Sequence, residues 1–233
     1  MLISLLCPTR NRQKSLNDLI ESILNTVSDI NNIELLIKQD EDCLYLLDSK
    51  YTFIRPFIGK KTDFLNCDYY NFLAKEARGD YLFSIGDDIR LKTKDWYLIL
   101  QNKVEKYLID KPDRIAYISV TERGSKAKHP CFPIITKEAF NKLGMYFHPQ
   151  LLSWGADRCI YEVYSGIDRI LHIPEIEIEH ISYHDGKAEY DKTAQSMKER
   201  FFRDPSCHNL VSKNVVPKNI KMLNDYINNF QNI

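Results

Sequence analysis

The chain has 233 residues, 44% of them hydrophobic and 27% charged, so its composition is that of an ordinary soluble globular protein. Lysine plus arginine equals aspartate plus glutamate at 32 each, so no basic excess points to nucleic acid as a partner. No apolar run approaches the roughly 20 residues that a membrane-spanning helix needs. The length suits one large domain or two small ones.

The first segment and the cysteines both predict a cytoplasmic protein. Residues 2–8, LISLLCP, are too short for the apolar region of a signal peptide and lack a basic start, so we interpret them as a strand. The six cysteines are scattered, without the paired spacing of a metal site. Such cysteines are typical of reduced thiols.

Apolar runs and helical periodicity alternate along the first 120 residues. The predicted strands cover residues 2–7, 33–38, 53–57, 81–85 and 114–120, and the predicted helices begin at residue 15, near residue 63 and at residue 93. Ser15 with Asp18 forms an acidic variant of the capping box, and Thr93 is the predicted cap of the third helix. This alternation predicts an α/β fold with a mostly parallel sheet covered by helices.

Three predicted strands end in polar clusters. These are PTRNR (8–12), QDED (39–42) and GDD (86–88). Sheets of this kind bind ligands beyond the carboxyl ends of their strands, so the three clusters should face one crevice. Basic side chains and several carboxylates in one crevice suit a phosphorylated ligand with a divalent cation. Neither GxGxxG nor GxxxxGK[ST] occurs, which weakens a dinucleotide or P-loop interpretation.

Asp87 and Asp88 raise a question of charge. Two adjacent carboxylates at the end of an apolar strand repel each other unless something positive lies beside them. Glycine followed by aspartate is also common in solvated turns, so the dipeptide alone favours an ordinary turn. The three polar strand ends together favour a cation.

These motifs, taken in order, resemble the family 2 glycosyltransferases of the GT-A fold. The resemblance rests on CPTRNR (7–12), the acidic end of the second strand and GDYLFSIGDDI (79–89). Further along, HPCFPIITKEAFNKLGMYFHP (129–149), WGADRCIYEV (154–163) and EIEHISYHDGKAEYDKT (177–193) resemble the small single-domain members of phages and large viruses. The resemblance covers roughly residues 2–193.

The resemblance implies a nucleotide-sugar site at the strand ends. Pro8 and Thr9 would form the wall beside the nucleobase, with Arg10 or Arg12 near the ribose or the diphosphate. Asp40 would hydrogen-bond the base, often uracil. Asp87 would contact the ribose or the metal. The nucleotide-sugar residues implied are thus Pro8, Thr9, Arg10, Arg12, Asp40 and Asp87.

The resemblance also implies a metal and a catalytic base. Asp88 and His180 would hold Mn²⁺ or Mg²⁺, with His184 as the competing histidine. Asp157, in WGAD, would remove the proton of the acceptor hydroxyl in an inverting transfer, with Trp154 and Gly155 on the acceptor side. The implied activity is transfer of a hexose from a nucleotide donor, in the first place a UDP-sugar, to a hydroxyl.

The sequence departs from the family pattern at two strand ends. The acidic motif is Gly-Asp-Asp rather than Asp-x-Asp, which leaves the division of labour between Asp87 and Asp88 open. The second strand ends in QDED, so Asp42 is an alternative to Asp40. The basic residue expected before the helix that contains Asn71 has no clear match, and Lys60 or Lys61 is the substitute.

The domain boundaries follow from the same motifs. Residues 1–185 are the predicted GT-A domain, with a nucleotide-sugar half at about 1–92 and an acceptor half at about 93–185. Residues 186–233 are a helical C-terminal extension. Within it, residues 186–203 are charged and suit a solvated face or a lid over the site. The tail from 216 predicts an amphipathic helix for packing or for contact in a homo-oligomer.

Other interpretations of these residues stay open. Asp157 also suits the first turn of a helix, where it would stabilise the positive end. His129 and His148 both precede prolines, which favours structural roles. A sugar nucleotidylyltransferase shares the sheet and the carboxylates, but residues 5–11 lack the glycines of its loop. A non-catalytic nucleotide- or carbohydrate-binding module is the other alternative.

Overall fold

The computed structural model describes residues 1–62, 65–125, 127–151, 155–183, 186–192, 195, 198–199 and 211–231. The strands are β1 (Ile3–Pro8), β2 (Ile33–Asp40), β3 (Ile54–Gly59), β4 (Tyr81–Ser84), β5 (Ile89–Leu91), β6 (Tyr117–Arg123), β7 (Ile134–Thr136) and β8 (Ile170–His180). The α-helices of the described residues are α1 (Gln13–Thr26), α2 (Leu65–Glu76), α3 (Trp96–Leu108), α4 (Lys137–Leu143), α5 (Ala156–Ser165) and α6 (Val216–Gln231). None of these helices has the length and apolarity needed to cross a bilayer.

The described strands form one eight-stranded sheet in the order β3-β2-β1-β4-β7-β6-β8-β5. The first half is parallel, because β1 pairs in parallel with β2 and β4, and β2 with β3. The second half is mixed: β7 runs antiparallel to β4 and β6, β8 is parallel to β6, and β5 is antiparallel to β8. The predicted α/β fold is confirmed, and the parallel part carries the three polar strand ends.

Helices cover the sheet on both faces. One core layer packs α1 and α3 on the sheet, and the periodic face of α1 is buried at Leu16, Leu19, Ile20 and Ile23. The other layer contains α2, α4, α5 and α6. The predicted C-terminal helix therefore packs on the domain, with Leu223 fully buried. The boundary predicted at residue 185 falls outside the described residues.

Both predicted helix caps are wrong. Helix α1 begins two residues before Ser15. The Ser15 hydroxyl donates to the Asp87 carbonyl (3.0 Å) instead of capping the helix, and Asp18 pairs with Arg90 (3.0 Å). Asp95, not Thr93, precedes α3. The Thr93 hydroxyl accepts from the Glu177 N–H (2.9 Å) in β8 instead. In each case the side chain bonds a neighbouring segment, because the fold brings that segment within reach.

The edge opposite the polar strand ends is held by a buried carboxylate. Glu34 accepts hydrogen bonds from the Ser4 hydroxyl (2.6 Å), the Arg78 N–H (2.6 Å) and the Arg55 guanidinium (2.8 Å). These groups come from β1, the turn before β4, and β3. Burial opposes ionisation, but these bonds hold the pKa of Glu34 below its usual value. Glu34 thus ties four segments of the parallel half together.

Replacing Glu34 by glutamine should destabilise the fold in a pH-dependent way. The variant keeps the shape but removes the charge paired with Arg55, so the free energy of unfolding should fall by about 1–3 kcal/mol at pH 7. Because the folded-state pKa is depressed, this difference should be complete above the unfolded-state pKa near 4.5 and shrink as the pH falls through the folded-state value. Urea unfolding at neutral and acidic pH measures it.

Glu175→Gln is the matched control. Glu175 pairs with Lys103 on the surface, so its loss should cost only a few tenths of a kcal/mol. Equal costs for the two variants would contradict a special role for the buried carboxylate.

Candidate active site

The carboxyl ends of β1, β2 and β4 converge on one crevice, as predicted. The Thr9 hydroxyl, after β1, donates to Asp87 Oδ2 (2.6 Å), after β4. Arg10 Nη1 donates to Asp40 Oδ2 (2.6 Å), at the end of β2. Three segments that are distant in sequence therefore share hydrogen bonds at a single edge of the sheet.

Asp87 and Asp88 lie in different environments. Asp87 is buried and accepts from Thr9 and from Arg12 Nη1 (3.3 Å). Burial and the charge of Asp88 raise the pKa of Asp87 to about 7. Asp88 is partly open to solvent and lies 3.1 Å from Arg12 Nη1 and 3.6 Å from His180 Nε2. Burial opposes ionisation there too, but His180 and Arg12 hold the pKa of Asp88 below its usual value.

Strand β5 brings His180 to Asp88. The three-residue strand follows the acidic pair directly, and its antiparallel register with β8 sets Ile89 opposite His180. The sequence did not predict β5, because three residues carry too little periodicity. Gly86 leaves room for the Asp88 carboxylate, because a Cβ at residue 86 would lie 2.4 Å from Asp88 Oδ1.

Arg12 is surrounded by three carboxylates. Besides Asp87 and Asp88, its Nε and Nη2 donate to Asp191 (2.8 and 3.1 Å), 179 residues away in the chain. The Arg12 backbone N–H donates to the Tyr45 hydroxyl (2.8 Å), which fixes the loop between β1 and α1. Asp191 was missed by sequence reasoning, although its charged segment had been considered as a lid. In this structure Asp191 reaches Arg12 at the strand ends.

Arg10 pairs with two carboxylates at the end of β2, Asp40 and Asp42. Asp40 is fully buried, and its two oxygens accept from Arg10 and from the Tyr69 hydroxyl. Asp42 accepts hydrogen bonds from both terminal nitrogens of Arg10 (2.5 and 2.7 Å), and its side chain is 61% exposed. Asp42 is therefore the carboxylate of this pair that a ligand can reach.

A buried lysine that the sequence analysis did not single out lies near the end of β2, whereas Lys60 and Lys61 were the predicted basic residues. Lys60 and Lys61 are exposed. Lys38, at the end of β2, is buried with its Nζ 5.1 Å from the centre of the Tyr69 ring, and burial lowers its pKa. Its position inside a predicted apolar strand concealed it from sequence reasoning.

The residues predicted for the acceptor side lie around the first turn of α5. Gly155 precedes that helix with φ of +89°, a conformation that suits glycine, and Asp157 follows in the first turn. Asp157 Oδ2 lies 3.3 Å from His129 Nε2, and Oδ1 accepts from the Arg158 N–H (2.8 Å). Trp154 lies outside the described residues, as does His184.

The loop between β6 and β7 links the two acidic centres. The Phe132 ring packs edge-on against His180, with centroids 5.0 Å apart. The Phe132 and Cys131 N–H groups both donate to the Glu122 carboxylate at 3.0 Å. Burial, with a smaller contribution from Asp157, raises the pKa of Glu122. One short loop thus lies between Asp88 with His180 and Asp157.

The donor atoms at Asp88 and His180 suit a divalent ion. Among the described residues, no group of three or more His, Cys, Asp or Glu side chains is placed to hold a metal. A carboxylate oxygen and an imidazole nitrogen 3.6 Å apart could nevertheless both be ligands of one divalent ion. That combination suits Mg²⁺, and the imidazole favours Mn²⁺. The residues therefore fit the implied metal as two ligands of an open site.

Solved structures with this fold include glycosyltransferases. TarS of S. aureus superposes with a TM-score of 0.59 at 13% identity, over 87% of this chain and 39% of TarS. The TarS 1-349 complex with UDP-GlcNAc gives 0.59 at 12%, over 87% and 66%. The mannosyltransferase PcManGT from Pyrobaculum calidifontis, in complex with GDP-Man and Mn²⁺, gives 0.57 at 14%, over 94% and 72%.

The sequence itself gives no such match. No protein-family model and no curated protein matches the chain. At identities of 12–14% the structural likeness concerns the fold, and the chain spans about two fifths of the length of full TarS. The protein has a mixed α/β fold that it shares with these glycosyltransferases.

Proposed function

We propose that this protein is a metal-dependent glycosyltransferase that moves a sugar from a nucleotide donor, in the first place a UDP-sugar, to an acceptor hydroxyl with inversion. One observation carries the proposal: two separate acidic centres, Asp88 with His180 and Asp157, lie on either side of one loop in a glycosyltransferase fold. The chemistry needs one centre for the leaving diphosphate and another for the acceptor. The resemblance to small phage and large-virus members rests on the sequence motifs alone and is part of the proposal.

The nucleotide would lie over the ends of β1 and β2. Pro8 and Thr9 line this edge, and Arg10 holds the two candidate base-reading carboxylates. Asp40 is fully buried whereas the Asp42 side chain is 61% exposed, which favours Asp42 as the group that meets the nucleobase and Asp40 as its support. The buried Lys38 adds positive charge beside them.

The diphosphate would lie at Asp88. Asp88 and His180 would hold the divalent ion, which when bound would neutralise the charge that develops on the leaving diphosphate. Arg12 occupies this corner in the structure and would turn from its carboxylates toward the phosphates. Asp87, buried against Thr9, is placed to orient the ribose or to support Asp88.

Asp157 would accept the acceptor's proton. Its carboxylate is partly exposed at the helix start and separate from the strand-end cluster. As the acceptor oxygen bonds to the sugar carbon, its proton passes to Asp157 and the electron pair of the broken bond leaves with the diphosphate. Attack from the side opposite the leaving group inverts the sugar carbon.

Nucleotide binding should require the metal. UDP should bind tightly with Mn²⁺ or Mg²⁺ and only weakly with chelator, because the ion that Asp88 and His180 would hold would neutralise charge on the diphosphate. Asp88→Asn should weaken the binding of both the metal ion and UDP. Asp225→Asn, on the surface of α6, should change neither affinity. Calorimetry measures the affinities, and equal UDP affinity with and without chelator would refute the metal role.

Gly86→Ala should weaken metal-dependent UDP binding, but less than Asp88→Asn does. The new Cβ would displace the Asp88 carboxylate, so metal-dependent UDP affinity should fall by about tenfold, or ~1.4 kcal/mol. Gly144→Ala is the matched control, since its φ of +70° costs stability but its Cβ contacts nothing. Loss of UDP affinity in both variants would show a general destabilisation instead.

Asp157→Asn should separate chemistry from binding. The variant keeps the shape but not the basicity, so turnover should fall by about 10²–10⁴-fold while UDP–Mn²⁺ affinity holds. The products decide between the rival activities. Nucleoside diphosphate release supports transfer, pyrophosphate release supports nucleotidylylation, and binding without either supports a non-catalytic module. Near-normal turnover in this variant would place the base elsewhere.

A further inference from the structure

His129 lies beside Asp157, although its place before a proline had suggested a structural role. We propose that His129 is a positioning residue that orients the Asp157 carboxylate and makes its basicity depend on pH. The proposal rests on the proposed function, because it assigns a partner to the proposed base. Four observations support it: the contact itself, the seating of the imidazole, the anchoring of its loop and the charges around it.

The contact fixes the carboxylate at both oxygens. His129 Nε2 lies 3.3 Å from Oδ2, and the Arg158 N–H holds Oδ1 at 2.8 Å. Each oxygen keeps a further lone pair, so the carboxylate can still accept a proton. The side chains of His129 and Asp157 remain 22% and 23% exposed. The pair is therefore ordered and also accessible to a hydroxyl from outside.

The imidazole is seated on α5. Tyr161 follows Asp157 by one helical turn, and its ring lies against the imidazole at a centroid distance of 6.5 Å and a tilt of 34°. Residues four apart share a helix face, so a single helix presents both the carboxylate and the aromatic support of its partner. This arrangement sets the direction of Nε2.

The loop that carries His129 is anchored by Glu122. Both Glu122 oxygens lie 3.0 Å from the Cys131 N–H, and one also accepts from the Phe132 N–H. These donors come two and three residues after His129, so the loop is held next to the histidine.

The charges that face His129 come from two elements. Asp157 and Arg158 lie on α5, and Glu122 lies on β6. The hydrogen bond with Asp157 raises the pKa of His129, burial and Arg158 oppose the rise, and Glu122 adds to it. The imidazole therefore stays protonated to a higher pH than an isolated one.

The protonation state of His129 would control the base. A neutral imidazole donates Nε2–H to Oδ2 and leaves the carboxylate free to take the acceptor's proton. An imidazolium stabilises the ionised carboxylate more strongly and makes it a weaker base. Turnover should therefore rise as the pH increases through the pKa of His129.

Two substitutions separate these roles. His129→Gln keeps an N–H donor near the position of Nε2 but does not titrate, and His129→Leu removes the donor. His148→Gln is the matched control, because His148 also precedes a proline and its imidazole accepts a hydrogen bond from the nearby Gln150 N–H (3.3 Å). Hydrolysis of UDP-GlcNAc by water, followed as UDP release between about pH 5 and pH 8, needs no identified acceptor.

The leucine variant should lower kcat by about tenfold or more with unchanged UDP-GlcNAc affinity. The glutamine variant should restore most of kcat and lose the fall in rate at acid pH, and His148→Gln should match the wild type. A leucine variant with wild-type kcat and pH profile would overturn the proposal. Equal losses of kcat and of Tm in the leucine and glutamine variants would also overturn it, since they would mark a packing role.

An NMR titration of the His129 imidazole tests the pair without any turnover. Its pKa should fall in Asp157→Asn, and an unchanged pKa would overturn the pairing. If the wild type binds no nucleotide sugar but this pKa does fall, the failure lies with the proposed function. The two failures are therefore distinguishable.

Discussion

The repulsion between Asp87 and Asp88 is the constraint on which the site depends. Two adjacent carboxylates at the end of a buried strand need a cation, and Arg12 supplies it in this structure. Three further contacts accompany Arg12. Its backbone N–H donates to the Tyr45 hydroxyl, and its Nε donates to Asp191. Asp87, with its charge compensated, is buried and accepts from Thr9. A divalent ion at Asp88 would relieve the same repulsion, so the arginine and the ion are alternative partners of one carboxylate.

One short loop contacts both acidic centres, through Phe132 at His180 and through His129 at Asp157. Phe132 contacts His180 with its side chain and Glu122 with its backbone. Cys131, its neighbour, shares the same carboxylate. A shift at His180 would therefore reach the loop that carries His129.

The sequence was sufficient for the parallel half and for the polar strand ends. Strands β1 and β2 are long buried runs, and the helical face of α1 is periodic, so local pattern determines both. The same reasoning failed at Ser15 and Thr93, because their hydroxyls bond distant segments rather than their own helices. It also missed β5 and β7, which have three residues each and exist only through their partners.

The site residues also divide into those that local sequence pattern predicts and those that depend on tertiary packing. Asp40, Asp87 and Asp88 end predicted strands, so their convergence could be expected from topology alone. The contacts of His129 and Asp191 could not, because each comes from a loop or a segment whose path depends on tertiary packing. Their roles, and those of Asp157 and His180, remain predictions.

The pairing of β5 with β8 has a consequence for synthesis of the chain. Ile89 finds its partner His180 only after some ninety further residues have been made, and Arg12 waits still longer for Asp191. A nascent chain that has completed β1, β2 and β4 can assemble its parallel core while these two contacts are missing. Any ribosome-bound or truncated form that ends before β8 would contain β1, β2 and β4 without His180. The metal binding that we propose would then be gained only after this core has formed.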